Sequence, residues 1–398
     1  MIARQLIALI FFTFSLFGER IAMTGNWNGV REEAKDAGVE ILSSYQNDLA
    51  GNTYGGKHRG FANAGSYNLS FDLDLEKICN WNGGHFLTSF CVRHGNNLSA
   101  NKIGNQFPVQ QLFGRETYGL TELFLQQEIF EKKVQVKGGR LSGGNDFLTS
   151  PLYLLYVNNG ICGNPINIFF NTLFTAYPFA QWGAYLHIKP LPSCLLKFGC
   201  YNNSKNIFKD KYHGAYFPFK SNQGVTLISE WAYILDGALP GKYTIGGYYV
   251  TGRVNKFNGG STVGNYAYYF LLDQMVYQQD SLQITPWAAL CFAMPNNRNR
   301  FPFYFDAGIV FKGLFSGREK DTFNIGYIYG AYSSALREEE ENRHQAPQNY
   351  ESVIELNYWY WITPWFVITP DVQYVIQPSG YKSIPNALVL GAQISIDL

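Results

Sequence analysis

Charge is scarce in this sequence. Asp, Glu, Lys and Arg make up 15% of the 398 residues, against about 25% in an ordinary soluble domain. The 31 basic residues face 30 acidic ones, a formal charge of +1, which excludes a basic nucleic-acid binder. Beyond the N-terminus no apolar stretch nears the roughly 20 residues that a spanning helix needs, so a helical membrane protein is excluded too. Six cysteines (Cys79, Cys91, Cys162, Cys194, Cys200 and Cys291) are too sparse to form a disulfide scaffold. They make no CxxC pair and have no histidine at zinc spacing, so no metal or other cofactor is expected. Catalytic signatures are missing as well: there is no GxSxG elbow, no HExxH helix and no phosphate-binding GxxxxGK[ST] loop. The histidines, at 58, 85, 94, 187, 213 and 344, do not cluster. No enzyme is expected.

What the chain does have is aromatic and small. It carries 31 Phe, 28 Tyr, 8 Trp and 40 Gly, and 46% of it is apolar, enough to rule out disorder. Arg4 followed by the apolar run from Leu6 to Phe17 reads as a secretory signal peptide within residues 1–22, with cleavage after Gly18 or Ala22. After export an even cysteine number permits disulfides, although buried or lumen-facing thiols explain them equally well.

Period two dominates the rest. In 67–75, Tyr67, Leu69, Phe71, Leu73 and Leu75 point one way, and Asn68, Ser70, Asp72 and Asp74 the other. The C-terminal ALVLGAQISIDL repeats the pattern, with Leu388, Leu390, Ala392, Ile394, Ile396 and Leu398 sharing a face. A soluble sandwich would place Lys, Glu and Thr on its outer face. Here the polar face is mostly uncharged and glycine-rich, which suits a lipid-facing apolar side and a wet interior. Such a sheet must close, because an open edge in hydrocarbon leaves backbone polar groups unpaired at several kcal/mol each.

Sixteen strands are expected: 38–48, 64–75, 84–92, 118–129, 133–141, 180–189, 194–202, 225–235, 242–252, 265–276, 283–294, 303–314, 322–333, 350–362, 365–376 and 386–398. The number is even, as single-chain bacterial barrels require. Every second connection is short, as in 130–132 and 190–193. The opposite set contains the longest, 93–117, 142–179, 203–224 and 334–349, matching short periplasmic turns and long external loops. The apolar stretch Ile166 to Phe174 is assigned to the third long loop, because counting it as a strand breaks that alternation. Aromatics at segment ends (Tyr45, Trp81, Tyr118, Tyr201, Trp231, Tyr277, Trp287, Trp365) read as interfacial girdles. The fold class is therefore all-β, a 16-stranded antiparallel transmembrane barrel over 38–398. A short periplasmic helix or plug segment at 23–37 precedes it.

Motifs in order now carry a family resemblance. GNWNGVREEAKDAGVEILSSYQNDLAGNTYGG, from Gly25, resembles the opening of the carbohydrate-selective porins of the OprB type, in which a helix precedes the first strand. FDLDLEKICNWNGGHFLTSFCVRHGNNLSANKIGN resembles that family's second and third strands, and LTELFLQQEIFEKKVQVKGGRLSGGNDF its next hairpin and the start of its third loop. YPFAQWGAYL and the segment from Ile354 to Leu398 fit its closing strands. Leu398, where such barrels commonly end in an aromatic, and the six cysteines depart from the pattern. The resemblance implies an outer-membrane pore that passes monosaccharides and small oligosaccharides by diffusion, with outer-membrane lipid around it. It leaves monomer or homotrimer open. Two alternatives stand beside it: a general non-selective porin, and a barrel acting as adhesin or lectin.

Phase nominates the pore lining. Outward Phe86, Phe90 and Val92 leave Arg93 in the inward line of His85, Leu87, Ser89 and Cys91. Outward Leu123 and Leu125 leave Glu122, Gln126 and Glu128 inside. Outward Val134 and Val136 leave Lys137 inside. Glu355 is inward on its strand, and Asp146 heads the third long loop. Arg140 is out of phase, but Gly138 and Gly139 permit a bulge, and the resemblance implies an arginine there near the constriction. Loops 93–117 and 142–179 are the segments expected to fold inward. Apart from contacting sugars, these charges have a second reading, mutual neutralisation across the lumen.

Overall fold

The computed structural model describes residues 21–113, 116–220 and 222–398; nearly all of the proposed signal peptide lies outside them. Sixteen strands cross the sheet: β1 Val39–Tyr54, β2 Gly60–Asp74, β3 Gly84–Gly95, β4 Thr117–Ile129, β5 Val134–Leu141, β6 Gln181–Leu191, β7 Cys194–Asn202 and β8 Val225–Leu235. They continue as β9 Gly241–Asn255, β10 Ser261–Gln274, β11 Leu282–Phe292, β12 Phe303–Lys312, β13 Thr322–Ala331, β14 Tyr350–Thr363, β15 Phe366–Ile376 and β16 Ala387–Asp397. Each pairs antiparallel with its sequence neighbours, and β1 pairs with β16, which closes the barrel. The three residues Tyr277–Gln279 extend the β10–β11 hairpin and add no crossing.

Each expected strand has its counterpart. The largest difference is at the first hairpin, where the sequence suggested a long connection from 49 to 63. Pairing instead runs on to Asn52 opposite Gly60, because the small residues of this stretch fit a pleat as readily as a turn. The Ile166–Phe174 stretch is indeed inside the third long connection, where Asn167–Asn171 forms one helical turn (α3). At the short-turn end, α1 (Val30–Asp36) has no buried residue, and α2 (Leu75–Cys79) is capped by Asp74. The Arg31 guanidinium lies 4.2 Å from the Trp27 ring and donates to the Leu398 carbonyl at 3.0 Å. This ties the N-terminal segment to the last strand.

The two faces of the wall differ as the alternation requires. Phe90, Val92, Leu125, Phe198, Leu227, Ile245, Phe270, Leu356, Val372 and Leu390 are exposed on the outside, far more apolar surface than a soluble monomer tolerates. Gln393, Ser395 and Asp397 are buried on the inside. The interior is less wet than expected. Segments 96–113 and 142–180 enter the bore and pack Phe107, Val109, Phe147, Tyr153, Tyr156, Ile161 and Phe174 against inward Trp287, Tyr304, Val353 and Val375. Two of the expected girdle residues, Tyr201 and Trp287, are consequently core residues at 0% and 2% exposure. Their strand-end positions suggested an interface, but their phase points inward, where the third long connection covers them.

Candidate functional site

Backbone amides of the inserted connections meet carboxylates projecting from the wall. Glu122 accepts from the Ser142 N–H at 2.9 Å and the Asn145 amide at 3.1 Å. Glu230 accepts from Leu148 N–H at 2.7 Å. Glu355 accepts from Val157 and Asn158 N–H at 2.7 and 2.9 Å. The second long connection is held the same way, by Asp48 on Leu112 N–H at 3.1 Å and by Glu351 on Gln106 and Phe107 N–H, both at 2.7 Å. Charged acceptors on backbone N–H groups make short, strong bonds, and each removes a donor that would otherwise be buried unpaired. Five wall carboxylates thus fix two loops that carry little regular structure of their own.

Lysines complete the root of the third long connection. Lys137 and Asp146 form an ion pair at 2.6 Å, with side chains only 4% and 2% exposed. Lys197 pairs with Glu230 at 3.2 Å and donates to the Asp146 carbonyl at 2.5 Å. The Lys137 ammonium also lies 4.9 Å from the Tyr185 ring. On the neighbouring wall Arg93 is buried, its guanidinium 5.1 Å from the ring of Tyr177, which descends from the same connection. The Tyr177 hydroxyl bonds Asn68 and Ser66, and burial pushes its pKa up, so it stays a neutral phenol. Towards the short turns, Glu128 accepts from Gln126 at 3.4 Å and Gln135 at 3.5 Å and pairs with Lys132 at 3.2 Å.

Seven of the eight residues nominated for the pore lining are therefore turned inward. Glu122, Lys137 and Asp146 converge, Gln126 and Glu128 lie below them, Arg93 stands above them on neighbouring β3, and Glu355 holds the loop from the far wall. Glu122 reaches its place through a register shift between Ser89 and Phe90, which puts Thr121 and Glu122 both inside. Arg140 is the exception. The β4–β5 pairing runs through Gly138 and Gly139 without a bulge, so Arg140 shares the outer row with Leu123 and Trp182. Its guanidinium donates to the carbonyls of Ala180 (2.6 Å), Gly214 (3.0 Å) and Tyr216. The expected arginine at the constriction is instead a pin for connection 203–224. Asp48, Lys197, Glu230, Glu351 and Tyr177 were missed. All but Tyr177 occupy inward positions of alternating strands, which was the available signal.

A closed sixteen-stranded barrel with an apolar belt, short turns at one end and long loops folded into its bore is the architecture of an outer-membrane porin. The chain belongs to the carbohydrate-selective porin, OprB family, whose model matches residues 58–398. It is 26% identical over 415 residues to Porin B of Pseudomonas aeruginosa, covering 94% of this chain and 90% of that one. It is 23% identical to the putative porin QuiX of Acinetobacter baylyi, covering 95% and 93%. The high-pH structure of Pseudomonas putida OprB superposes with a TM-score of 0.90 at 24% identity, covering 96% of this chain and 99% of that one. The protein is a channel of the bacterial outer membrane.

Proposed function

We propose that the pore passes neutral monosaccharides and small oligosaccharides by facilitated diffusion along the wall of β2 to β6, past Arg93, Gln126, Glu128, Lys137 and Tyr177. One observation carries this reading: the buried lysines at the loop root are each matched by an acid, Lys137 by Asp146 and Lys197 by Glu230. Such a wall offers little net field to an ion. It does offer aromatic faces for sugar C–H surfaces, and amide and hydroxyl groups for sugar hydroxyls. Glu122 and Glu355, engaged by loop backbone, act as positioning residues, not as sugar contacts.

The test is flux. Purified protein refolded into liposomes should admit monosaccharides faster than disaccharides, and it should open stable steps in a planar bilayer that sugars partly block. Swelling that tracks solute size alone, for sugars and amino acids alike, would leave a general porin. No flux from a heat-modifiable barrel would defeat the proposal.

A further inference from the structure

Connection 203–224 does something at the external rim that a pore does not require. Strand β5 ends at Leu141, where the chain turns into the bore, so β4 above Leu123 loses its neighbour on that side. Residues 210–217 fill the notch. Leu120 N–H donates to the His213 carbonyl at 3.0 Å, and the His213 ring stacks on Tyr118 at 4.3 Å. Trp182 Nε1 donates to the Phe217 carbonyl at 2.7 Å, and the Arg140 guanidinium lies 5.4 Å from the Phe217 ring. Leu123, Arg140 and Trp182 form an outer-face row, so this strap lies on the outside of the wall, near its rim.

Its free side has a composition of its own. Lys205, Lys209, Lys211 and Lys220 are exposed, and Asp210 is the one acid between them. Phe217 and Phe219 stand out at 41% and 66% exposure. Lys211 sits 5.0 Å from the Tyr212 ring. The positive charge is local, since the helix α4 (Ser334–Asn342), beside β13 and β14 on the far side of the rim, carries Glu338 to Glu341. Aromatics flanked by lysines at a membrane boundary fit a surface that is apolar below and anionic above.

We propose that the strap is a docking platform for anionic lipids of the outer leaflet that carry more than one phosphate. The lysine ammoniums meet the phosphates, while Phe217 and Phe219 enter the upper acyl region. Arg140 positions the platform by holding its backbone and touches no lipid. Charge complementarity favours this occupant over a second copy of the chain, whose strap would bring the same four lysines.

Native mass spectrometry of the full chain in detergent tests it, with diphosphorylated lipid A and phosphatidylcholine as probes, each with and without excess inorganic phosphate. The wild type should retain lipid A over phosphatidylcholine, and inorganic phosphate at matched ionic strength should not displace it. The triple variant Lys209→Gln, Lys211→Gln, Lys220→Gln should lose about tenfold in retention, and raised salt should weaken the wild type similarly. Phe219→Ser should reduce retention of both lipids. Heat-modifiable mobility of each variant establishes that the barrel is closed. Equal lipid A retention by the wild type and the triple variant overturns the proposal. So does equal retention of the two lipids by the wild type, displacement of lipid A by inorganic phosphate, or a dimer that the triple variant abolishes.

Discussion

Arg93 and Arg140 show what a single side chain's phase can and cannot tell. Arg93 sits where strict alternation along β3 puts it, with a neighbouring aromatic ring supplied by a loop. For Arg140 the two preceding glycines licensed a bulge in either direction, and the pairing contains none. Gly139 instead takes φ +144°, and a Cβ there would lie 2.7 Å from Phe124 Cα, so the strand keeps its register only with glycine. Two predictions separate the arginines. Arg93→Ala should weaken sugar block of the ion current several-fold; an unchanged blocking constant would remove Arg93 from the sugar path. Arg140→Met should leave sugar block intact but make the chain cleavable by protease between Lys205 and Lys220, because three backbone carbonyls lose their donor. Protection equal to wild type would show that the strap is held by other means.

Among the elements, the inserted connections were only half legible. Their length and place in the alternation marked 93–117 and 142–179 as inward, and the apolar residues of 166–174 were correctly withheld from the barrel wall. What the sequence did not contain is which amide each acid would meet. Asp48, Glu230 and Glu351 look like any other inward polar residue until the loop arrives. Removing one such acceptor orphans buried N–H groups at about 1–3 kcal/mol each. Glu355→Leu frees two, those of Val157 and Asn158, and should lower the unfolding midpoint in denaturant. It should also raise single-channel conductance and noise as the loop loosens. A quiet channel of wild-type conductance would mean that apolar packing alone holds the loop. Breaking Lys137–Asp146 with Lys137→Met leaves a buried carboxylate unpaired, a loss of about 3–5 kcal/mol. The same denaturation measurement checks it.

Across the whole molecule, even strand number, alternation and closure were all readable, because lipid on one side constrains every strand alike. The girdle assignment failed at Tyr201 and Trp287 because strand-end position was weighed above phase. The lipid-facing belt has its own consequence. Leu356→Arg, in the middle of β14, should cost about 2–4 kcal/mol if it lies near the bilayer midplane. Refolding yield into lipid vesicles should fall, whereas Leu356→Met, which keeps an apolar side chain there, should leave the yield near wild type. Equal yields for both variants would argue that the outer face is not bathed in hydrocarbon.

The second long connection also constrains the order of assembly. Its residues 106–112 bind Glu351 on β14 and Gln373 on β15, and equally Asp48 on β1, which in turn holds Gln393 of β16. These bonds straddle the seam where the first and last strands meet. They cannot all form until the C-terminal hairpin has been delivered, so the plug is set by the same event that shuts the cylinder. A nascent barrel halted before that moment would lack one of its two stoppers as well as its last strand, a leak that ends only when the final strand docks.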